Sequence, residues 1–358
     1  MHMKIALLNL PMDNNYGGNL QRYALMKILQ NMGHDVTHIS LLFNKKNLPF
    51  YMYPTTIAKY LIKILIGRNP GIFKCQLYSR DLYDKQLSII MPFYDKYIKH
   101  TKKIYDISEL KFHVDFDVFI VGSDQVWRKN IAHEYLSAMF LDYLDTSTNS
   151  KRIAYSISLG TDENELSSDE INNLTPLYKQ FSNVSVREDS ALELLKLYGW
   201  TLPMAEHTLD PTLLLRKEDY LSLIERGNTV ASTGDMFCYI LDISETKRKT
   251  IDKIANMKGL CPFYISLDNL KSIEQWLRSF VDAKFVITDS YHGFLFSIIF
   301  NKSFYLFNNT TRGNSRFESV CRMLNIEINK EIYDWPEINE RLKYWQFKSM
   351  AFLTSSLK

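Results

Sequence analysis

Three clusters of side chains in this chain have the types and spacing for chemistry on a polar, anionic ligand. The run Thr288-Asp289-Ser290-Tyr291-His292-Gly293 gathers a carboxylate, a hydroxyl and an imidazole in one turn. A lone histidine reads more readily as a satisfied structural residue, but Asp289 and Ser290 crowd His292, which favours a ligand-binding edge. Arg187, in Ser185-Val186-Arg187-Glu188, carries a rigid five-donor fork that matches a carboxylate or a phosphate. Its competing reading is a surface pair with Glu188 or Asp189. The third cluster is Asp13-Asn14-Asn15-Tyr16-Gly17-Gly18-Asn19 with Gln21. Gly17 and Gly18 let backbone amides approach a ligand at a helix N-terminus, and the amide side chains suit a sugar. The run is neither a P-loop nor a dinucleotide fingerprint, since the lysine and the glycine spacing are missing. A Gly-Gly turn is also often structural.

The elements that position these clusters follow from periodicity. Lys4 to Leu10 reads as a strand, Leu20 to Met32 as a helix ended by Gly33, and Val36 to Leu42 as a second strand. Asp117 to Val121 is another strand, and Asp124, Gln125 and Trp127 follow it at a ligand edge. Arg152 to Ser158 and Asn183 to Val186 continue the alternation, with a helix from Ser168 to Phe181 between them. Beyond Leu209-Asp210-Pro211-Thr212, strands are expected at Met236–Leu241, Phe263–Ser266, Phe285–Thr288 and Ser303–Phe307. Helices fall between them, near Glu245–Met257, Ser272–Ala283 and Gly293–Phe300. Alternating strands and helices predict parallel sheets with right-handed crossovers. Ligands of such sheets bind at the carboxyl ends of the strands, where His292 would sit.

A chain of 358 residues, 46% hydrophobic and 23% charged, is long enough for two domains. The expected division is a Rossmann-like domain over 1–208, a second over 209–336 and a terminal helix over 337–358 that packs back on the first. Residues 44–103 form a basic, aromatic helical insertion. Twelve lysines and arginines there face three aspartates, a net of +9 that leaves −6 on the rest. Such a segment suits an anionic membrane surface or acidic ligands. The alternative is a solvated insertion whose tyrosines pack on the domain. A net charge of +3 gives no argument for nucleic acid. Four dispersed cysteines, Cys75, Cys238, Cys261 and Cys321, form no zinc pattern, so reduced thiols and no metal are expected. The amino-terminal apolar run is only strand-length, and no run reaches the roughly 20 residues of a membrane span. A cytoplasmic protein is expected, with peripheral contact at the inner face of the membrane as an option.

Five motifs in order, Asn15-Tyr16-Gly17-Gly18 with Gln21, Val121 to Trp127, Ser185 to Glu188, Leu209 to Thr212 and Thr288 to Gly293, resemble the polysaccharide pyruvyl transferases. The resemblance implies two Rossmann-like α/β domains with a cleft between them, GT-B-like. It implies transfer of the enolpyruvyl unit of phosphoenolpyruvate onto a nucleotide- or lipid-linked sugar, giving a pyruvate ketal with no cofactor beyond the donor. His292 is then the proton-transferring residue. Arg187, Ser290, Gly293 and Arg316 would hold phosphoenolpyruvate. Asn15, Gly17, Gly18, Gln21, Asp124, Gln125 and Asp289 would line the acceptor side or the cleft. One position departs from the family: an arginine often stands two residues before the motif histidine, where this chain has Ser290. Arg316, with Arg312 behind it, is the expected substitute. Two other functions fit the same fold, a glycosyltransferase with a nucleotide-sugar donor and a glycan-binding protein without catalysis.

Overall fold

Short β-branched and aromatic runs become strands here, and the amphipathic runs between them become the helices that cover both faces. The computed structural model describes residues 2–65, 77–266, 269–307 and 314–358. Cys75, Arg312 and residues 66–76 of the basic segment lie outside that set.

The first half runs β1 (Lys4–Leu8), α1 (Tyr16–Asn31), β2 (Asp35–His38), α2 (Tyr53–Leu65), α3 (Ser79–Tyr97), β3 (Val118–Val121) and β4 (Lys151–Ile157). It continues through α4 (Ser168–Tyr178), β5 (Asn183–Val186), α5 (Asp189–Leu197) and β6 (Ala205–His207). Its six strands lie in the order β2-β1-β3-β4-β5-β6, all parallel. The second half holds α6 (Lys217–Arg226), β7 (Met236–Tyr239), α7 (Glu245–Lys258), β8 (Pro262–Tyr264) and α8 (Ile273–Asp282). After these come β9 (Phe285–Thr288), α9 (Tyr291–Ile299), β10 (Ser303–Leu306), α10 (Ser315–Leu324) and α11 (Trp335–Ser356). Its four strands lie in the order β10-β9-β7-β8, again parallel.

All four residues of β3 and all four of β9 are buried, as strands covered by helices on both faces require. Register then fixes the ligand edge. Leu8 pairs with Val121, so the loop after β1 and the turn after β3 leave the sheet side by side. Tyr239 pairs with Thr288, which sets Leu241 beside Asp289. The two edges are joined by the start of α1. Tyr16 stacks on Trp276 of α8 with ring centroids 5.2 Å apart, and its hydroxyl donates to the Lys271 carbonyl at 2.8 Å. Helix α11 returns to the first sheet: Leu209 N donates to Ser349 Oγ at 2.9 Å, and Phe352 packs 6.1 Å from Tyr155 of β4.

Two differences from the sequence reading bear on function. Helix α1 begins at Tyr16 rather than Leu20, so Gly17 and Gly18 form its first turn instead of a loop. Asn15 makes this possible, because its side chain caps the helix by accepting from Gly18 N at 3.3 Å. The reading also omits β6, only three residues long, and α6, whose Tyr220, Leu223 and Ile224 form a buried stripe at helical spacing.

Candidate active site

The loops at the carboxyl ends of both sheets enclose a cleft of about 280 Å³. Asp13, Asn14 and Asn15 come from the turn before α1, and Asp124, Gln125, Arg128 and Ile131 from the segment after β3. Facing them are Tyr239 at the end of β7 and Leu241 beyond it, Asp289 to His292 at the start of α9, and Arg316 and Phe317 in the first turn of α10.

His292 reaches the cleft through a gap that only glycine leaves. A Cβ built on Gly17 would lie 1.9 Å from His292 Nδ1, so the bare Cα of Gly17 is the surface on which the imidazole rests. Behind the ring, His292 Nε2 is 3.6 Å from Asp210 Oδ2. The same oxygen accepts from Gln21 Nε2 at 2.6 Å and Arg187 Nη1 at 2.9 Å. Asp210 Oδ1 accepts from the Thr212 amide at 2.9 Å and the Thr212 hydroxyl at 2.7 Å. Burial alone would raise this carboxyl, but His292, Arg187 and Thr212 together hold it well below the usual carboxylate range. Asp210 is therefore a fixed anion behind the imidazole.

Arg187 is fully buried and lies behind the cleft wall. Its Nη2 donates to Asp124 Oδ1 at 3.1 Å, and its guanidinium stands 4.6 Å from the Tyr291 ring centroid. Burial works against its charge, yet Tyr291, Asp124, Asp210 and Glu188 outweigh that and raise its pKa. Arg316 approaches the same Tyr291 ring at 5.2 Å. Burial, and then repulsion from Arg187, bring its pKa down to about 10, so it stays cationic at neutral pH. Tyr291 is thus wedged between two guanidiniums. Asp124, with its side chain 23% exposed, faces the cleft. Burial would raise it, but Arg187, His292 and Arg316 hold it below the usual range.

Of the residues singled out from sequence, Asn15, Asp124, Gln125, Asp289, Ser290, His292 and Arg316 line the cleft. Gly17, Gly18, Gln21, Arg187 and Gly293 stand behind that lining. The fork of Arg187, expected to face an incoming anion, is engaged by Asp124 and Asp210. The amide of Gly293 meets Ser290 Oγ at 3.3 Å, because Ser290 caps α9. A Cβ on Gly293 would meet Thr288 Oγ1 at 2.2 Å, so this glycine serves the tight crossing of α9 over β9. Asp289 accepts from Leu241 N at 2.7 Å, Asp242 N at 3.1 Å and Lys247 Nζ at 2.6 Å, and clamps the loop after β7 to this turn.

Sequence reasoning leaves out Asp210, Tyr291 and Arg128. Asp210 stands in an Asp-Pro turn that reads as a boundary, and its partners lie far away in sequence. Arg128, which pairs with Glu165 at 3.0 Å, follows the strand-end motif by one residue, and that proximity was the available signal.

Comparison with known proteins accords with this architecture. A structure of UDP-GlcNAc 2-epimerase from Neisseria meningitidis bound to UDP-GlcNAc is similar at a TM-score of 0.51 and 8% identity, covering 100% of this chain and 99% of that one. An alpha-glucosyltransferase in complex with UDP and a 13-mer DNA reaches 0.46 at 11% identity, covering 99% and 95%. A UDP-N-acetylglucosamine 2-epimerase from Rickettsia bellii also reaches 0.46, at 9% identity, covering 99% and 96%. The fold is GT-B-like, two parallel sheets with helices around them. No curated protein matches in sequence. The profile of the polysaccharide pyruvyl transferases matches residues 15–311, a span that runs from the Asn15 cap past the His292 turn. The chain belongs to the polysaccharide pyruvyl transferase family.

Proposed function

We propose that this protein transfers the enolpyruvyl unit of phosphoenolpyruvate to two hydroxyls of a nucleotide- or lipid-linked sugar, forming a pyruvate ketal on a polysaccharide precursor. Family membership supports the transferase class. The observation that carries the rest is the juxtaposition of His292, backed by Asp210 at 3.6 Å, with Asp124 and Arg316 on the walls of one cleft.

The reaction needs a proton delivered to the methylene carbon while a sugar hydroxyl adds to the neighbouring carbon and gives up its own proton. Loss of phosphate, with cleavage of its carbon–oxygen bond, leaves a cationic centre that the second hydroxyl closes. The methylene ends as the ketal methyl, and phosphate carries away the second hydroxyl's proton. His292 is the proton donor in this scheme, held in place by Gly17 on one side and Asp210 on the other. Asp124, on the cleft wall, is the carboxylate assigned to accept the proton of the attacking hydroxyl. The donor brings a carboxylate and a phosphate, which Arg316 and the amides opening α10 can hold. Arg128, paired with Glu165, stands on the opposite wall. In this arrangement Ser290 caps α9, and the anion grip passes to α10.

The test is thermal stability with each ligand, followed by phosphate release from phosphoenolpyruvate across a panel of sugar acceptors. Phosphoenolpyruvate at one hundred times its Kd should stabilise by about 2.7 kcal/mol, with uridine diphosphate far weaker. Stabilisation by uridine diphosphate alone, with no phosphate released in any mixture, refutes the reading.

A further inference from the structure

Helix α2 contributes nothing to the core. None of its thirteen residues, Tyr53 to Leu65, is buried. Leu61 is 52% exposed, Ile62 55% and Leu65 83%, and the preceding turn leaves Phe50 83% exposed. A soluble monomer seldom leaves so much contiguous apolar surface uncovered. The exposure has a pattern. At about 100° per residue, Ile57, Leu61, Ile64 and Leu65 fall within one arc roughly 100° wide, and Lys59 and Lys63 lie on the other side with Thr56.

We propose that α2 is an interfacial helix that docks the protein on an anionic lipid bilayer. Leu61, Ile64 and Leu65 enter the boundary between headgroups and acyl chains, and Lys59 and Lys63 meet the lipid phosphates. Charge selects this occupant. The surrounding segment, residues 44–103, carries +9 against −6 on the rest of the chain, so the apolar face sits in a basic segment of a chain whose remainder is net acidic. A second copy of the chain covering the same face would bring two such basic segments together, whereas an anionic surface attracts them. The thirteen described residues of the helix reach about 20 Å, short of a hydrocarbon core of about 30 Å. Phe50 and Tyr51, 83% and 80% exposed in the preceding turn, add aromatic rings suited to headgroup depth.

The anchor is rooted beside the cleft. Phe43 N donates to Tyr83 Oη at 3.3 Å, and Tyr83 Oη donates to the Met12 carbonyl at 2.7 Å, one residue before Asp13 on the cleft wall. The inference concerns partition onto lipid and stands whether or not phosphoenolpyruvate is the donor.

Vesicle flotation of the full chain tests it, with neutral phosphatidylcholine vesicles compared against vesicles that also contain phosphatidylglycerol. The protein should float with the anionic vesicles and hardly with the neutral ones. Lys59→Gln with Lys63→Gln should weaken the anionic partition about 25-fold, since each lysine is worth about 1 kcal/mol, or a factor of about 5. Leu61→Asp with Leu65→Asp should abolish it, and melting temperatures should stay at the parent value because no α2 residue is buried. Failure to float, or flotation untouched by the Leu61/Leu65 variant, overturns the proposal. So does a concentration-dependent dimer that the same variant dissolves while vesicles are ignored, since a second copy would then be the occupant.

Discussion

Replacing Gly17 by alanine separates the fit of the histidine from the stability of its helix. The added Cβ would lie 1.9 Å from His292 Nδ1 and 2.0 Å from Cγ. Ordinary contact is about 3.5 Å, so the ring or the first turn of α1 must move by roughly 1.5 Å. A shift of about 1 Å in a reacting group commonly lowers rates about 100-fold, and Gly17→Ala should lower kcat/KM for phosphoenolpyruvate by at least that factor. Stability should change much less. Alanine favours the helix by up to about 1 kcal/mol, overpacking costs about 1–3 kcal/mol, and the net loss is about 0–2 kcal/mol. Gly18→Ala is the control: its nearest contact is Arg22 Nη1 at 3.5 Å, which is ordinary packing. That variant should be as stable as the parent or slightly more so, with activity retained. Phosphate release and urea unfolding of both variants decide the matter. A Gly17→Ala enzyme with parental turnover would show that the imidazole does not work from its seat on α1.

Further predictions follow from the buried charges. Asp210→Ala leaves Arg187 and His292 without their shared oxygen and should cost about 3–5 kcal/mol in urea unfolding, as loss of one partner of a buried ion pair does. Arg316→Ala should weaken phosphoenolpyruvate binding about 10- to 100-fold by calorimetry, the loss of one charge-assisted contact of about 1.5–3 kcal/mol, and unchanged affinity would return the anion site to other residues. Asp124 and Asp210 are both held below their ordinary pKa of 3.8, so the folded protein binds these protons more weakly than the unfolded chain. Their contribution is fully present above the unfolded carboxylate range and is lost as pH falls below about 4 towards the folded values. Urea midpoints should fall steeply over that window, and Asp210→Asn should flatten the fall.

Much of the fold was legible because a covered parallel strand leaves a plain signature. Phe285–Thr288 reads as a strand with the bounds the structure gives, and the apolar run after Gly293 belongs to a helix. The start of α1 was less legible: two glycines suggest a loop, and only the packed ring of His292 explains why a helix places glycine there. The site was legible as a set of turns and poorly legible as a set of pairs. Arg187 as a fork for anions is sound chemistry, but nothing in its own segment tells that Asp124 and Asp210 converge on it. In the basic segment, Tyr83 and Tyr94 of α3 pack in the core while Phe50, Tyr51 and the apolar face of α2 stay exposed. The packed tyrosines agree with an insertion that packs on the domain.

The central claim is that His292 protonates the donor's methylene carbon in the cleft. Turnover of phosphoenolpyruvate with an accepted sugar in deuterated water, followed by NMR of the product, tests it most directly. The parent should give a ketal methyl carrying one deuterium and stoichiometric phosphate, with His292→Gln folded but losing both signals together. Equal incorporation and phosphate release by His292→Gln would contradict it.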